Sequence, residues 1–172
     1  MTTNTPDYRY LLSFGSNKGH RRRHCMKGLN LLQKKVTLLQ QSSWIISKPL
    51  TSKHYDTSDH EDYLNFIVDI STELLPLKLY HLITVIENNV GHSRKRKWLP
   101  RELDIDILFW AKNNHVSLNA CQFLTFNQST LCIPHRLFWE RDFLVKLAQD
   151  ELQLRLPKKI SATFLPHKKE AQ

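Results

Sequence analysis

The sequence predicts an α+β domain in which an antiparallel sheet carries its helices on one face. Three observations lead there. Period-two alternation marks strands at 8–14, 63–72 and 103–109. Apolar stripes at helical spacing occupy 20–35 and 76–90. These elements follow one another as strand, helix, two strands, helix, strand, with no internal repeat and no linker. With 172 residues and 41% hydrophobic content, the chain is read as a single domain over 1–172, with its core at 8–150 and a basic tail at 151–172.

In the first strand Tyr10, Leu12 and Phe14 alternate against Arg9, Leu11 and Ser13. It runs into Gly15-Ser16-Asn17-Lys18-Gly19, a strand-to-helix turn where Ser16 or Asn17 can cap the helix that follows. The turn lacks the spacing of a Walker phosphate loop. Along the helix, Cys25, Leu29, Leu32 and Val36 form one stripe, and Arg21-Arg22-Arg23-His24 reads as a solvated first turn. A second strand is expected within 38–50. The polar stretch 52–62 carries His54, Asp56, Asp59, His60 and Glu61 without a recurring ligand spacing, and reads as a surface loop.

Strand 63–72 turns Leu64, Phe66, Val68 and Ile70 to the core and Tyr63, Asn65, Ile67 and Asp69 away from it. Pro76 suits the first turn of the next helix, whose stripe is Leu79, Leu82, Ile83, Ile86 and Val90, and Gly91 suits its C-cap. Glu87 lies one turn before that end, where the helix dipole disfavours a carboxylate. It is either an exposed helix residue or one compensated by a cation or ligand.

The strand at 103–109 holds the chemistry. Leu103, Ile105, Ile107 and Phe109 fall on one face, and Asp104 and Asp106 share the other. Side chains two apart on a strand are about 6.5 Å apart, within reach of cations that sit about 3.5–4 Å apart in two-metal sites. The triplet alone would better suit a solvated acidic face, since Asp-x-Asp is common. Asp is nevertheless a poor strand residue, and Arg94, Lys95, Arg96, Lys97 and Arg101 supply the cations of a phosphate site. Acids and bases together favour a nucleotide site. Beyond it, 111–130 is polar and irregular, 131–135 a short extended piece, and 136–150 a last helical region.

Strand–helix–strand–strand–helix–strand is the split β-α-β, or ferredoxin-like, arrangement, here with C-terminal additions. Its two helices cover one sheet face, so Tyr63, Asn65, Asp104 and Asp106 are expected to look into one groove on the other, open face. The net charge of +9 favours an anionic partner. Cys25, Cys121 and Cys132 suggest neither a disulfide framework nor a zinc site, so a reducing cytoplasm fits. No apolar signal core or run of about 20 apolar residues occurs, and no membrane partner is expected.

Together the pieces resemble the 6-hydroxymethyl-7,8-dihydropterin pyrophosphokinase (HPPK) family. The matching runs are Gly15-Ser16-Asn17, Tyr63-Leu64-Asn65, Ile86-Glu87, Pro100-Arg101-Glu102-Leu103-Asp104-Ile105-Asp106-Ile107, Ile133-Pro134-His135 and Arg141-Asp142-Phe143. The resemblance implies a ferredoxin-like enzyme that moves pyrophosphate from ATP to the pterin hydroxymethyl group and releases AMP. Asp104 and Asp106 would hold two Mg²⁺ ions. Arg94 and Arg101 would act on the phosphates as catalytic residues, with His92 at a third such position. Glu87, Trp98, Ile107, His135 and Arg141 would join Arg94 and Arg101 in contacting ATP. Tyr63 and Phe143 would sandwich the pterin, Asn65 would bond its edge, and Ser52 and Tyr55 would lie beside it. A monomer is expected, with ATP and pterin as its partners.

For His135 a purely structural role stays open, as does a plain core role for Phe143. Four departures stand out: His92 and Thr130 where the family typically has arginine, Lys53-His54-Tyr55 for a proline-rich turn, and Leu99 for glycine. Loss of both arginines makes a catalytically weakened relative the alternative. A basic ferredoxin-like sheet is also the plan of an RNA-binding module, but no RNP1-like run occurs, and nucleic acid is not expected as a partner.

Overall fold

A computed structural model describes residues 8–50, 56–91, 99–112 and 123–156. Strand β1 (Tyr8–Ser16) leads into helix α1 (Arg21–Leu32), then β2 (Thr37–Gln41), β3 (Ile45–Ser47) and β4 (Tyr63–Thr72). Helix α2 (Pro76–Val90) precedes β5 (Asp104–Lys112) and the short strands β6 (Phe123–Leu124), β7 (Phe126–Asn127) and β8 (Cys132–Ile133). The chain then forms a 3₁₀ turn at Phe138–Glu140, helix α3 (Asp142–Lys146) and a π turn at Leu147–Glu151. The main sheet runs β2-β4-β1-β5-β6, with β3 also paired to β4, and every pairing is antiparallel. Among the described residues no helix is long and apolar enough to cross a membrane.

The alternation in β1 and β4 sends Tyr10, Leu12, Phe14, Phe66, Val68 and Ile70 into one core with Cys25, Leu29 and Leu32 of α1 and Leu79, Ile83 and Ile86 of α2. Each such side chain contributes about 1.5–3 kcal/mol by leaving water. Burial also pushes the Cys25 thiol up to about 12, so it is a packing residue. Helix α2 begins with Pro76 in its first turn and ends at Gly91, whose φ of 132° no side-chain-bearing residue favours. The first helix gains no side-chain cap from Ser16 or Asn17; its N-cap is His20.

Three expectations change. The strand at 38–50 is two strands: a bulge between Leu38 and Gln40 leaves Leu39 exposed, and Ser42 bridges the break with its Oγ accepting from Ile67 N–H at 2.9 Å. A second bulge, between Leu11 and Leu12 where they face Phe109 and Ile107, reverses the parity of β5. Phe109 therefore leaves the helix-side core and packs on the opposite face.

That face is not open along its length. Leu11, Ile67, Leu108 and Phe109 are covered by Phe138, Leu144, Leu147, Ala148, Leu152 and Leu154. Leu152 and Leu154, which the sequence reading places in the tail, are part of this layer. The charged pair Arg9–Asp69 lies within the same strands, buried. Burial pushes Asp69 up to about 6 despite the opposing pull of Arg9.

Candidate active site

What remains uncovered is the end of the sheet where β1 finishes and β4 and β5 begin. Register across this end places Ser47 opposite Tyr63, Asn65 opposite Gly15, Gly15 opposite Asp104, and Ser13 opposite Asp106. All of these line one cavity of about 470 Å³, together with His135, Leu137, Arg141 and Phe143 from the C-terminal layer. Gly15 forms its floor: a Cβ there would fall 2.8 Å from Asn65 Oδ1 and 3.3 Å from Tyr63 Cδ1. The missing side chain leaves the room that the Asn65 amide and the Tyr63 ring occupy.

The acids do not stand alone. The Arg101 guanidinium pairs with Asp104, while Arg141 reaches Asp106 Oδ2 at 3.3 Å and His135 Nε2 lies 3.6 Å from Asp106 Oδ1. Burial works against the Arg101 charge, yet Asp104, Tyr63 and Asp106 outweigh it and hold its pKa above the ordinary value. Burial, helped by the Asp104 charge, pushes the Tyr63 phenol up to about 12, so Tyr63 presents a neutral ring. The turn after β1 grips the entry to β5: Asn17 N–H donates to Arg101 O at 3.1 Å, and Arg101 N–H donates to Asn17 Oδ1 at 2.7 Å. Ser16 Oγ–H adds a longer bond to the same carbonyl at 3.4 Å. Ser16 and Asn17 thus hold Arg101 in place of capping α1.

A cavity with paired carboxylates, two arginines and two aromatic rings suits a metal-bound phosphate chain beside a planar heterocycle. The profile of the 7,8-dihydro-6-hydroxymethylpterin-pyrophosphokinase (HPPK) family matches residues 11–151. The chain belongs to this family. A 2-amino-4-hydroxy-6-hydroxymethyldihydropteridine pyrophosphokinase of Aquifex aeolicus is 31% identical over 134 residues, covering 78% of this chain and 74% of its own. One of the same name from Haemophilus influenzae is 37% identical over 108 residues, with 63% and 58% covered. Among solved structures, a Plasmodium falciparum HPPK-DHPS protein superposes with a TM-score of 0.57 at 14% identity, which shows the shared fold. The match takes in 88% of this chain and 43% of that longer one.

Of the residues that the HPPK resemblance singles out, Tyr63, Asn65, Arg101, Asp104, Asp106, His135, Arg141 and Phe143 line the cavity. Ser52, Tyr55, His92, Arg94 and Trp98 lie outside the described residues. Ile107 differs: its side chain is buried in the helix-side core, so only its backbone can face a ligand. Glu87 is also placed differently. It is fully buried, neither an exposed helix carboxylate nor part of the cavity wall, and its Oε1 accepts from Ile105 N–H at 2.8 Å. It anchors the backbone between the two aspartates.

The cavity also includes Ser13, Ser47, Lys48, Pro49, Leu50, Thr57, His60, Leu99 and Leu137. His60 and Thr57 come from the stretch read as a plain surface loop. No local periodicity marks such residues; the pairing of β3 with β4 brings their neighbourhood to the site.

The acids fit a hard cation. Asp104 and Asp106 have side chains 19% and 22% exposed toward the cavity. Among the described residues no group of three or more His, Cys, Asp or Glu could hold a metal alone. An ion here must complete its shell with water and phosphate oxygens, as Mg²⁺ prefers.

Proposed function

We propose that this chain transfers pyrophosphate from ATP to 6-hydroxymethyl-7,8-dihydropterin in a Mg²⁺-dependent reaction. The single observation that carries it is the cavity whose floor at Gly15 has Asp104 on one side and Asn65 on the other. Asp104 and Asp106 would hold two Mg²⁺ ions. When bound, Mg²⁺ neutralises the triphosphate and makes the β-phosphorus a better electrophile. Arg101 and Arg141 exchange their carboxylate partners for phosphate oxygens, because guanidinium binds both in the same forked geometry. Tyr63 and Phe143 offer ring faces to the pterin, and Asn65 meets its edge.

In the reaction the pterin hydroxymethyl oxygen forms a bond to the β-phosphorus. The bond from that phosphorus to the α,β-bridging oxygen breaks, AMP leaves with the oxygen, and the hydroxyl proton is released. The protein's part is positioning and charge stabilisation. We take it to act as a cytoplasmic monomer on these two small molecules, without a nucleic acid or membrane partner.

The test is AMP release from ATP with and without the pterin. Pterin-dependent AMP that disappears in Asp104→Ala and in Asp106→Ala is the expected outcome. Absence of such AMP at high enzyme concentration refutes the activity, and a near-normal rate in either variant refutes the metal assignment.

A further inference from the structure

We propose that Arg21 is a positioning residue: from the first turn of α1 it fixes the peptide unit that leads into Tyr63, and with it the ring face that Tyr63 offers. This rests on the reading of Tyr63 as a ring face for the pterin and deepens it.

Helix α1 opens with Arg21, Arg22 and Arg23, with no acidic residue in its first turn and no side-chain cap. The helix dipole is positive at that end, so three adjacent cations weaken the helix rather than support it. Their use lies elsewhere in the fold. Arg21, expected to be solvated, is half-buried, and its Nη1–H donates to the Asp62 carbonyl. The Arg22 guanidinium lies 5.3 Å from the centre of the Trp44 ring, which packs at 4.4 Å on Phe66. Trp44 immediately precedes β3, and Asp62 immediately precedes β4.

The strand ladders explain why Asp62 needs such a partner. β1 pairs with β4 only as far as Ser16 opposite Leu64, and β3 only as far as Ser47 opposite Tyr63. Asp62 lies beyond the last pair of both. The β3 ladder holds just three pairs, and the exposed Lys48–Asp62 ion pair adds little to it. The Asp62 carbonyl and the Tyr63 N–H belong to one planar peptide unit. A guanidinium that holds the carbonyl therefore also sets the direction in which the Tyr63 side chain leaves the backbone. The ring so directed lies over Gly15, where a Cβ would fall 3.3 Å from Tyr63 Cδ1. Arginine suits the task, because its planar fork is preorganised and a charged donor makes the stronger bond.

The experiment compares wild type, Arg21→Ala, Arg21→Lys and Arg23→Ala. 6-Hydroxymethylpterin is titrated by fluorescence against protein saturated with a non-hydrolysable ATP analogue and Mg²⁺, and the analogue is titrated separately. Amide exchange is followed by NMR at Tyr63. Arg21→Ala is expected to weaken pterin binding about five- to tenfold, the worth of one hydrogen bond, and to change analogue binding by less than about twofold. Exchange of the Tyr63 N–H should quicken. The urea midpoint should move little, because the lost bond and the relieved helix dipole oppose each other. Arg21→Lys keeps a cationic donor and is expected to lie between. Arg23→Ala removes the same charge from an exposed position on the same turn, and is expected to leave both affinities and the exchange rate unchanged. Unchanged pterin binding in Arg21→Ala overturns the proposal. So does an equal loss in Arg23→Ala, the mark of a general charge effect, or an analogue affinity that falls as far as that of the pterin. If wild type binds no pterin, the pterin reading fails by itself. Exchange at Tyr63 then decides the anchor, which is upheld if Arg21→Ala exchanges faster and overturned if it does not.

Discussion

Glu87→Ala tests whether the two acids owe their placement to a residue outside the cavity. Glu87 Oε1 accepts from the N–H of Ile105, the residue between Asp104 and Asp106, from a fully buried position. Alanine leaves that N–H without its acceptor, a cost of about 1–3 kcal/mol. The emptied volume adds about 1 kcal/mol at ~24 cal/mol per Å³ of residual cavity. A loss of about 3 kcal/mol follows, or a fall in Tm of about 6–12 °C for a domain of this size. Glu87→Gln keeps an acceptor and is expected to lose about 1 kcal/mol. Urea unfolding gives the stabilities, and titration with a non-hydrolysable ATP analogue and Mg²⁺ gives the site's response. Glu87→Ala is expected to bind the analogue at least tenfold more weakly at a temperature where it remains folded, with Glu87→Gln between it and wild type. A loss under about 1 kcal/mol with unchanged analogue affinity would refute the anchoring role.

Three further outcomes are expected. Gly15→Ala pushes a methyl group against Asn65 Oδ1 and Tyr63, so the pterin affinity measured by fluorescence titration should fall at least tenfold, with ATP-analogue affinity changed less. Asp69, pushed up to about 6 from 3.8, is protonated more readily in the folded chain than in the unfolded one. Its contribution to stability is therefore full below pH about 4 and lost as pH rises to about 6, by up to about 3 kcal/mol, and Asp69→Asn should abolish that slope in urea unfolding. Replacing both His92 and Thr130 with arginine should raise kcat sharply if the chain is a weakened enzyme; an unchanged rate counts against that alternative.

Elements whose signal is local were legible in the chain alone. Strand β4 and helix α2 announce themselves because alternation and a 3.6-residue stripe depend only on neighbours, and Pro76 and Gly91 bracket the helix by their own backbone preferences. The Asp104–Asp106 pair was legible for the same reason: period two puts both carboxylates on one face whatever lies opposite. Parity failed where a bulge inserted a residue. Nothing in the residues from Ile105 to Trp110 betrays that Phe109 crosses to the other side, since the cause lies in the pairing with Leu11 and Leu12.

The sequence by itself thus determined the two main helices, strands β1, β4 and β5 and the ring-bearing residues beside the acidic strand, but not the split of β2 from β3 or the short strands β6 and β7 in the stretch read as irregular. Tertiary structure alone decided which part of the sheet stays open, because Phe138, Leu144 and Leu147 must find apolar partners and take them from Leu11, Ile67 and Phe109. It also decided the roles of Glu87, Ser16 and Asn17, whose hydrogen bonds join segments well separated in the chain. Such bonds depend on long-range register, which local periodicity does not encode.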